Sequence, residues 1–260
     1  MPEGDTIFRT ARTLHRALAG GTVTSFTSVF PALTRVDHDQ PLRGRVVQGV
    51  SPHGKHLLMS FSGGLVLRTH MRMHGSWHIY RPGERWMRPR HDMRIVIATE
   101  DFEAVAFDVP VAEFMTPKDV ERRPTLRELG PDVMAEGFDV DEAVRRIQAR
   151  PEADIADALL DQQAIAGIGN IFKSESLYAS RVNPFTPVRE LPAGQIAKIV
   201  TAARTLMRTE PRPELRVYMR AGRRCRRCGT TISRRKQGPN ARSTYWCEKC
   251  QLTSGSTRPG

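Results

Sequence analysis

Cysteine is scarce in this chain: 260 residues hold four, and none occurs before position 225. Long apolar runs are missing as well. Nowhere do about eighteen apolar residues stand together, which excludes a membrane-spanning helix. Met1–Gly20 lacks the basic-then-apolar pattern of a secretory leader. No basic helix with a broad apolar face is visible, so a membrane-surface role has little support. There is no internal repeat, and no low-complexity tract apart from the Ser/Gly/Thr-rich end at 252–260, which is expected to be disordered. A soluble, cytoplasmic protein is the expectation.

Positive charge is what the chain has in excess. Its formal net charge is +12, which favours a polyanionic partner such as DNA or RNA. The excess is local. Between Arg216 and Cys250 stand eleven Lys or Arg against one acid, Glu248, so ten of the twelve net charges lie there. All four cysteines fall inside this segment as Cys225, Cys228, Cys247 and Cys250, in the pattern C-x2-C-x18-C-x2-C. Two close pairs separated by a hairpin-length spacer can set four thiolates tetrahedrally around Zn²⁺. The alternative is two disulfides, which the missing leader pattern argues against. Four protein ligands leave no open position for water, so one such Zn²⁺ per chain is structural. It stabilises a hairpin too small to bury a core of its own. The segment reads as a metal-stapled basic clamp on nucleic acid.

Periodicity divides the rest. Ile7, Phe8, Ala11, Leu14 and Leu18 recur on one face and predict a helix over 3–18, ended by Gly20-Gly21. From Thr22 to about Asp108 the texture is of short β-rich runs broken by Pro and Gly, among them 45–50, 56–61, 65–70, 77–80 and 94–99. Such spacing suggests an antiparallel sandwich or barrel. Helical patterns follow at 143–150, 155–160, 167–179 and 195–209. The expected division is a catalytic β-sandwich domain (1–115), a linker (116–130), a helical DNA-binding domain (131–215), the zinc hairpin (216–251) and the tail.

Four places carry residues able to do chemistry. Removal of Met1 would expose the secondary amine of Pro2. A terminal amine is far less protonated at neutral pH than a lysine, and the following helix dipole lowers it further. Such an amine adds readily to an electrophilic carbon, with Glu3 beside it as acid. On these residues alone the plainer reading is that Pro2 is a first-turn proline and Glu3 complements the dipole. The turn at Gly167-Ile168-Gly169-Asn170, feeding a helix, suits a backbone phosphate, though close helix packing explains its glycines as well. Lys55, in Gly54-Lys55-His56, stands before a strand at a domain edge, where most lysines are solvated. His53, His56, His70, His74 and His78 invite a metal reading, but no paired Cys or acid ligands accompany them.

Taken together, these segments resemble the formamidopyrimidine-DNA glycosylase/endonuclease VIII family of base-excision repair enzymes. The matching stretches are Pro2-Glu3-Gly4-Asp5-Thr6, Gly54-Lys55-His56-Leu57, the block from Leu160 to Leu177, and Arg242-x-Thr244-x-x-Cys247-x-x-Cys250-Gln251. They lie in the family's order across nearly the whole chain, and the start looks most like an actinobacterial endonuclease VIII. The resemblance implies an α+β fold: an N-terminal helix plus antiparallel β-sandwich, then a helix-two-turn-helix domain and a four-cysteine zinc-finger hairpin. It reverses the plainer reading at Pro2.

The resemblance further implies a monomeric DNA glycosylase and abasic-site lyase, nucleoid-associated in a bacterium, acting on DNA with damaged bases or abasic sites. Pro2 would attack C1′ of a flipped nucleotide while Glu3 protonates the sugar. Lys55 would hold a phosphate and assist β-elimination. Asn170 would grip flanking phosphates, and Arg242 would bind phosphate and assist δ-elimination. Arg72, Met73 and His74 match the loop that fills the void left in the duplex. One departure bears on substrate. The oxidised-purine branch carries Asp-Pro-Arg-Arg-Phe-Gly where this chain reads Phe107-Asp108-Val109-Pro110-Val111-Ala112-Glu113-Phe114. That favours oxidised pyrimidines over 8-oxoguanine. An 8-oxoguanine enzyme and a non-catalytic binder of damaged DNA remain the alternatives.

Overall fold

Apolar residues at 7, 11, 14 and 18 form the buried stripe of α1 (Gly4–Leu18), and Gly20, at φ +83°, turns the chain away just past its end. The computed structural model describes residues 2–252, so the expected tail lies outside them apart from Leu252. The chain divides into two units, 1–128 and 129–260.

In the first unit, α1 is followed by β1 (Ser25–Ser28), α2 (Pro31–Asp39), β2 (Val47–His53), β3 (His56–Phe61), β4 (Leu65–His70), β5 (Ser76–Tyr80), β6 (Met93–Ala98), β7 (Glu103–Phe107) and β8 (Val111–Met115). They make two four-stranded antiparallel sheets, ordered β1-β6-β7-β5 and β2-β3-β4-β8. β3 and β4 are central in their sheet, which is why they read as nearly unbroken apolar runs. Leu57, Met59, Phe61 and Leu67 of one sheet join Ile95, Ile97, Ala104 and Ala106 of the other in one core, with the stripe of α1 packed into it. This is the expected sandwich. Within the stretch expected as a linker stand two short helices, α3 (Pro117–Arg122) and α4 (Pro124–Arg127). A capping box between Thr116 and Asp119 starts the first of them.

The second unit is helical: α5 (Val140–Gln148), α6 (Ile155–Ala158), α7 (Asn170–Ala179) and α8 (Ala193–Arg208). Two strands follow, β9 (Ser233–Gln237) and β10 (Arg242–Trp246), paired antiparallel with Arg242 opposite Gln237. α8 buries Ile196, Ile199, Val200, Ala203 and Met207 along one face, as its periodicity predicts. α7 differs: every residue from Asn170 to Tyr178 is buried, so it is enclosed on all sides.

Candidate nucleic-acid and zinc sites

Pro2 and Glu3 lead into α1. Glu3 is the N-cap residue, its carbonyl accepting from the Ile7 N–H at 3.1 Å, and its side chain is wholly buried. A glutamate that merely complemented a helix dipole would sit in solvent; burying a carboxyl is costly unless it is engaged. Pro2 is half-buried.

Lys55 occupies the two-residue turn between β2 and β3, where His53 pairs with His56 and Gly54 takes φ +58°. Next to it lies a buried polar line. Arg68 directs its guanidinium to His56 Nδ1 (Nη2 at 3.1 Å) and forms an ion pair with Glu113, which also pairs with Arg123. The His56 ring stands edge-on to His70, 4.8 Å between centroids. His70 Nδ1 accepts the Arg72 N–H at 3.0 Å. Burial first, then neighbouring Arg68, lowers the His56 pKa to about 3; burial, then Arg72, lowers that of His70 to about 4. Both rings are neutral, and they work as packing and acceptor groups. Among the described residues, the only cluster of three or more His, Cys, Asp or Glu with metal-binding spacing is the cysteine quartet.

Arg72, Met73 and His74 are the exposed tip of a tight turn closed by Gly75 N–H donating to Met71 O at 2.9 Å. Arg72 adopts φ +51°, and a Cβ on Gly75 would meet Met71 O at 2.6 Å, so the turn needs glycine there. Met73 is 52% exposed, an apolar side chain held in water.

In the second unit Asn170 opens α7, and its Nδ2 donates to Ser243 O on β10 at 2.8 Å. Its Oδ1 is buried without a hydrogen-bond partner. The turn before it is braced by Gln162. That side chain donates to Leu160 O (2.9 Å) and Ile168 O (3.0 Å) and accepts from Gly167 N–H (3.0 Å). Glu175, also on α7, accepts from the backbone N–H groups of Arg216, Val217 and Tyr218 at 2.8–2.9 Å and so moors the segment entering the zinc hairpin. Neither Gln162 nor Glu175 stands out in the sequence. The available signal was a Glu in a helix with no solvent-facing side. Arg242 is exposed at the start of β10, on the rim of a cleft of about 470 Å³ that Asp157, Gln162 and Gly238 also line.

The four cysteine sulfurs lie within 4.8 Å of one another, with Cys228–Cys247 at 3.4 Å and Cys225–Cys250 at 3.9 Å. Tetrahedral thiolates at 2.3 Å from Zn²⁺ would stand about 3.8 Å apart, so the donor set fits the ion. Burial opposes ionisation of Cys228, but hydrogen bonds from Thr230 prevail and bring it down to about 6. The small core around the quartet is Tyr178, Val217, Ile232 and Tyr245, and the Tyr178 hydroxyl contacts Cys225 Sγ at 3.3 Å. Cys247 N–H donates to Gln251 Oε1 at 2.9 Å, and Gln251 Nε2 donates to Val182 O at 2.9 Å, tying the second cysteine pair to the helical core.

Comparison with known proteins gives three family matches along the chain. Residues 1–110 match the formamidopyrimidine-DNA glycosylase N-terminal domain, 129–211 the H2TH domain of that glycosylase, and 222–252 the zinc finger found in FPG and IleRS. A probable endonuclease 8 2 of Streptomyces coelicolor is 40% identical over a 274-residue alignment covering all of this chain and 97% of that protein. A DNA-(apurinic or apyrimidinic site) lyase Nei2 of Mycolicibacterium smegmatis is 35% identical, covering 98% of this chain and 100% of that one. The fold is shared with Lactococcus lactis Fpg in complex with DNA containing an abasic site, at a TM-score of 0.83 and 22% identity, over 96% of this chain and 99% of that one.

Proposed function

The chain belongs to the formamidopyrimidine-DNA glycosylase/endonuclease 8 family, and on that premise we propose that it is a DNA glycosylase and abasic-site lyase removing oxidised pyrimidines. The observation that carries the chemistry is the start of α1, where Pro2 precedes a wholly buried Glu3. With Met1 removed, the Pro2 nitrogen adds to C1′ of the damaged nucleotide, and the base leaves with the electron pair of its glycosidic bond and takes up the proton that the Pro2 nitrogen loses. Glu3 gives its proton to the ring oxygen as the sugar opens, leaving an iminium cation between Pro2 and C1′. Loss of the C2′ proton then breaks C3′–O, and the electron pair departs on the 3′-phosphate (β-elimination). Loss of the C4′ proton breaks C5′–O in the same way and expels the 5′-phosphate (δ-elimination). One water hydrolyses the iminium and restores the amine.

Lys55, at its hairpin turn, holds a phosphate during the first elimination, and Arg242 does so during the second. Asn170 adds a donor at the N-terminus of α7, where the helix dipole favours an anion. Arg72, Met73 and His74 fill the space of the extruded base, Met73 supplying the apolar wedge. Cys225, Cys228, Cys247 and Cys250 hold one structural Zn²⁺ per chain; when bound, it supplies the cross-link that stabilises the hairpin and no chemistry on substrate. The preference for pyrimidines rests on the absence of the oxidised-purine branch's Arg-Arg-Phe at 107–114 and on likeness to proteins named endonuclease 8. The protein acts as a monomer on bacterial chromosomal DNA, and no helix among the described residues is long and apolar enough to cross a membrane.

Borohydride trapping on a panel of lesion duplexes tests this reading. A covalent adduct with thymine glycol or dihydrouracil is expected. Preferential adduct formation with 8-oxoguanine opposite cytosine would reverse the substrate assignment, and binding with no adduct on any duplex would remove the enzyme reading.

A further inference from the structure

Arg242 is a long, flexible side chain at an exposed strand end, so its aim depends on how firmly the strand beneath it is held. Beneath it runs a line of four polar side chains that the family resemblance does not assign. Lys173 on α7 is 1% exposed, a rare environment for an ammonium group. Its Nζ donates to Thr244 Oγ1 on β10 at 2.8 Å. Lysine only donates, so the hydroxyl proton of Thr244 is directed onward, to Gln237 Oε1 at 2.8 Å. That fixes the orientation of the amide. Gln237 Nε2 then donates to Asp154 Oδ2 at 2.8 Å and Pro184 O at 3.3 Å. Donation runs one way, from a buried cation to a carboxylate, and neither inner member, Thr244 or Gln237, can turn over without breaking two links.

The line meets Arg242 on two sides. Gln237 is its cross-strand partner, and Thr244 lies two residues on, on the same face of β10. The intervening turn is pinned too: Gly238 takes φ +68°, and a Cβ there would lie 2.3 Å from Asp157 Oδ1. Asn170 adds its own bond to Ser243 O between them. α7 and the hairpin are thereby one block, with Asn170 and Arg242 at fixed separation.

We propose that Lys173, Thr244, Gln237 and Asp154 form a positioning line for Arg242, and that it governs how far strand cleavage proceeds beyond β-elimination. The proposal rests on the lyase reading above. There, Arg242 acts as the C4′ proton is lost and the 5′-phosphate departs, so a displaced guanidinium slows that expulsion selectively.

The test uses the full, zinc-loaded chain on a duplex with one abasic site. Thr244→Val removes the hydroxyl at constant volume. The ratio of δ- to β-elimination product is expected to fall by about tenfold or more, since small misplacements of a catalytic group are costly. The slope of log affinity against log salt is expected to fall by about one, as for loss of one phosphate contact. Thr244→Ser, which keeps the hydroxyl, restores both. A wild-type ratio and slope in Thr244→Val overturn the proposal. Should that variant not fold, Gln237→Glu breaks the last link by facing a carboxylate with Asp154, and a wild-type ratio and slope there overturn it equally. If the wild-type protein cleaves no abasic site yet Thr244→Val still loses a unit of salt slope, the lyase reading fails and the positioning role stands.

Discussion

His56 and His70 offer themselves as metal ligands in the sequence, yet each is neutral and spoken for, one by Arg68 and one by the Arg72 N–H. Their depressed pKa values have a consequence for stability. Unfolded, each takes up a proton near 6.5; folded, only near 3 and 4. Across that interval the unfolded chain binds more protons, so stability is complete above about 6.5 and is lost as pH falls toward 4. Urea midpoints at pH 7 and pH 4.5 should differ accordingly, and His56→Gln, which keeps an acceptor for Arg68, should reduce the difference. Glu3 carries a sharper expectation. Glu3→Gln should lose base excision but keep some cleavage of preformed abasic sites, measured on paired lesion and abasic duplexes; equal excision would sink its role as acid. Pro2→Gly should trap less adduct than wild type, and an undiminished yield would mean the nucleophile lies elsewhere.

Regular elements were legible where periodicity was clean. β3 and β4 fall at the residues their apolar runs predict, and α1 and α8 differ from expectation only at their ends. α2 was not legible: only Leu33 of its nine residues is fully buried, too little to write a helical period into a β-rich stretch. The polar framework of the site was not legible either. Glu175 and Lys173 act through tertiary partners far along the chain, and such pairings leave no local pattern. The zinc hairpin was legible because its ligand spacing is local. Its core is small enough that chelation of the metal should unfold 217–251, seen as Tyr178 and Tyr245 becoming exposed to quenchers. A hairpin intact after chelation would overturn the zinc assignment. Gly238→Ala should also destabilise this element, by about 1–3 kcal/mol in thermal or urea unfolding, because positive φ and the Asp157 carboxylate both oppose a Cβ.

For the molecule as a whole, the charge distribution sets the terms of DNA binding. Ten of its twelve net charges lie between Arg216 and Cys250, so affinity should fall steeply as salt rises. Arg242→Ala should weaken binding by a similar factor on damaged and undamaged duplexes and lower the salt slope by about one, measured by titration across salt concentrations. A loss confined to lesion DNA would mark Arg242 as a reader of damage instead of a phosphate contact.

The turn that keeps Met73 in water exposes its thioether to peroxide. Oxidation to the sulfoxide would make that tip polar and chiral, so on the proposal that Met73 is the wedge and oxidised bases the substrate, the oxidants that generate substrate would also blunt the wedge until a reductase restored it. Met87 and Met219 are exposed as well, so a peroxide-treated Met73→Leu protein isolates the effect: it should keep the lesion affinity that the treated wild type loses.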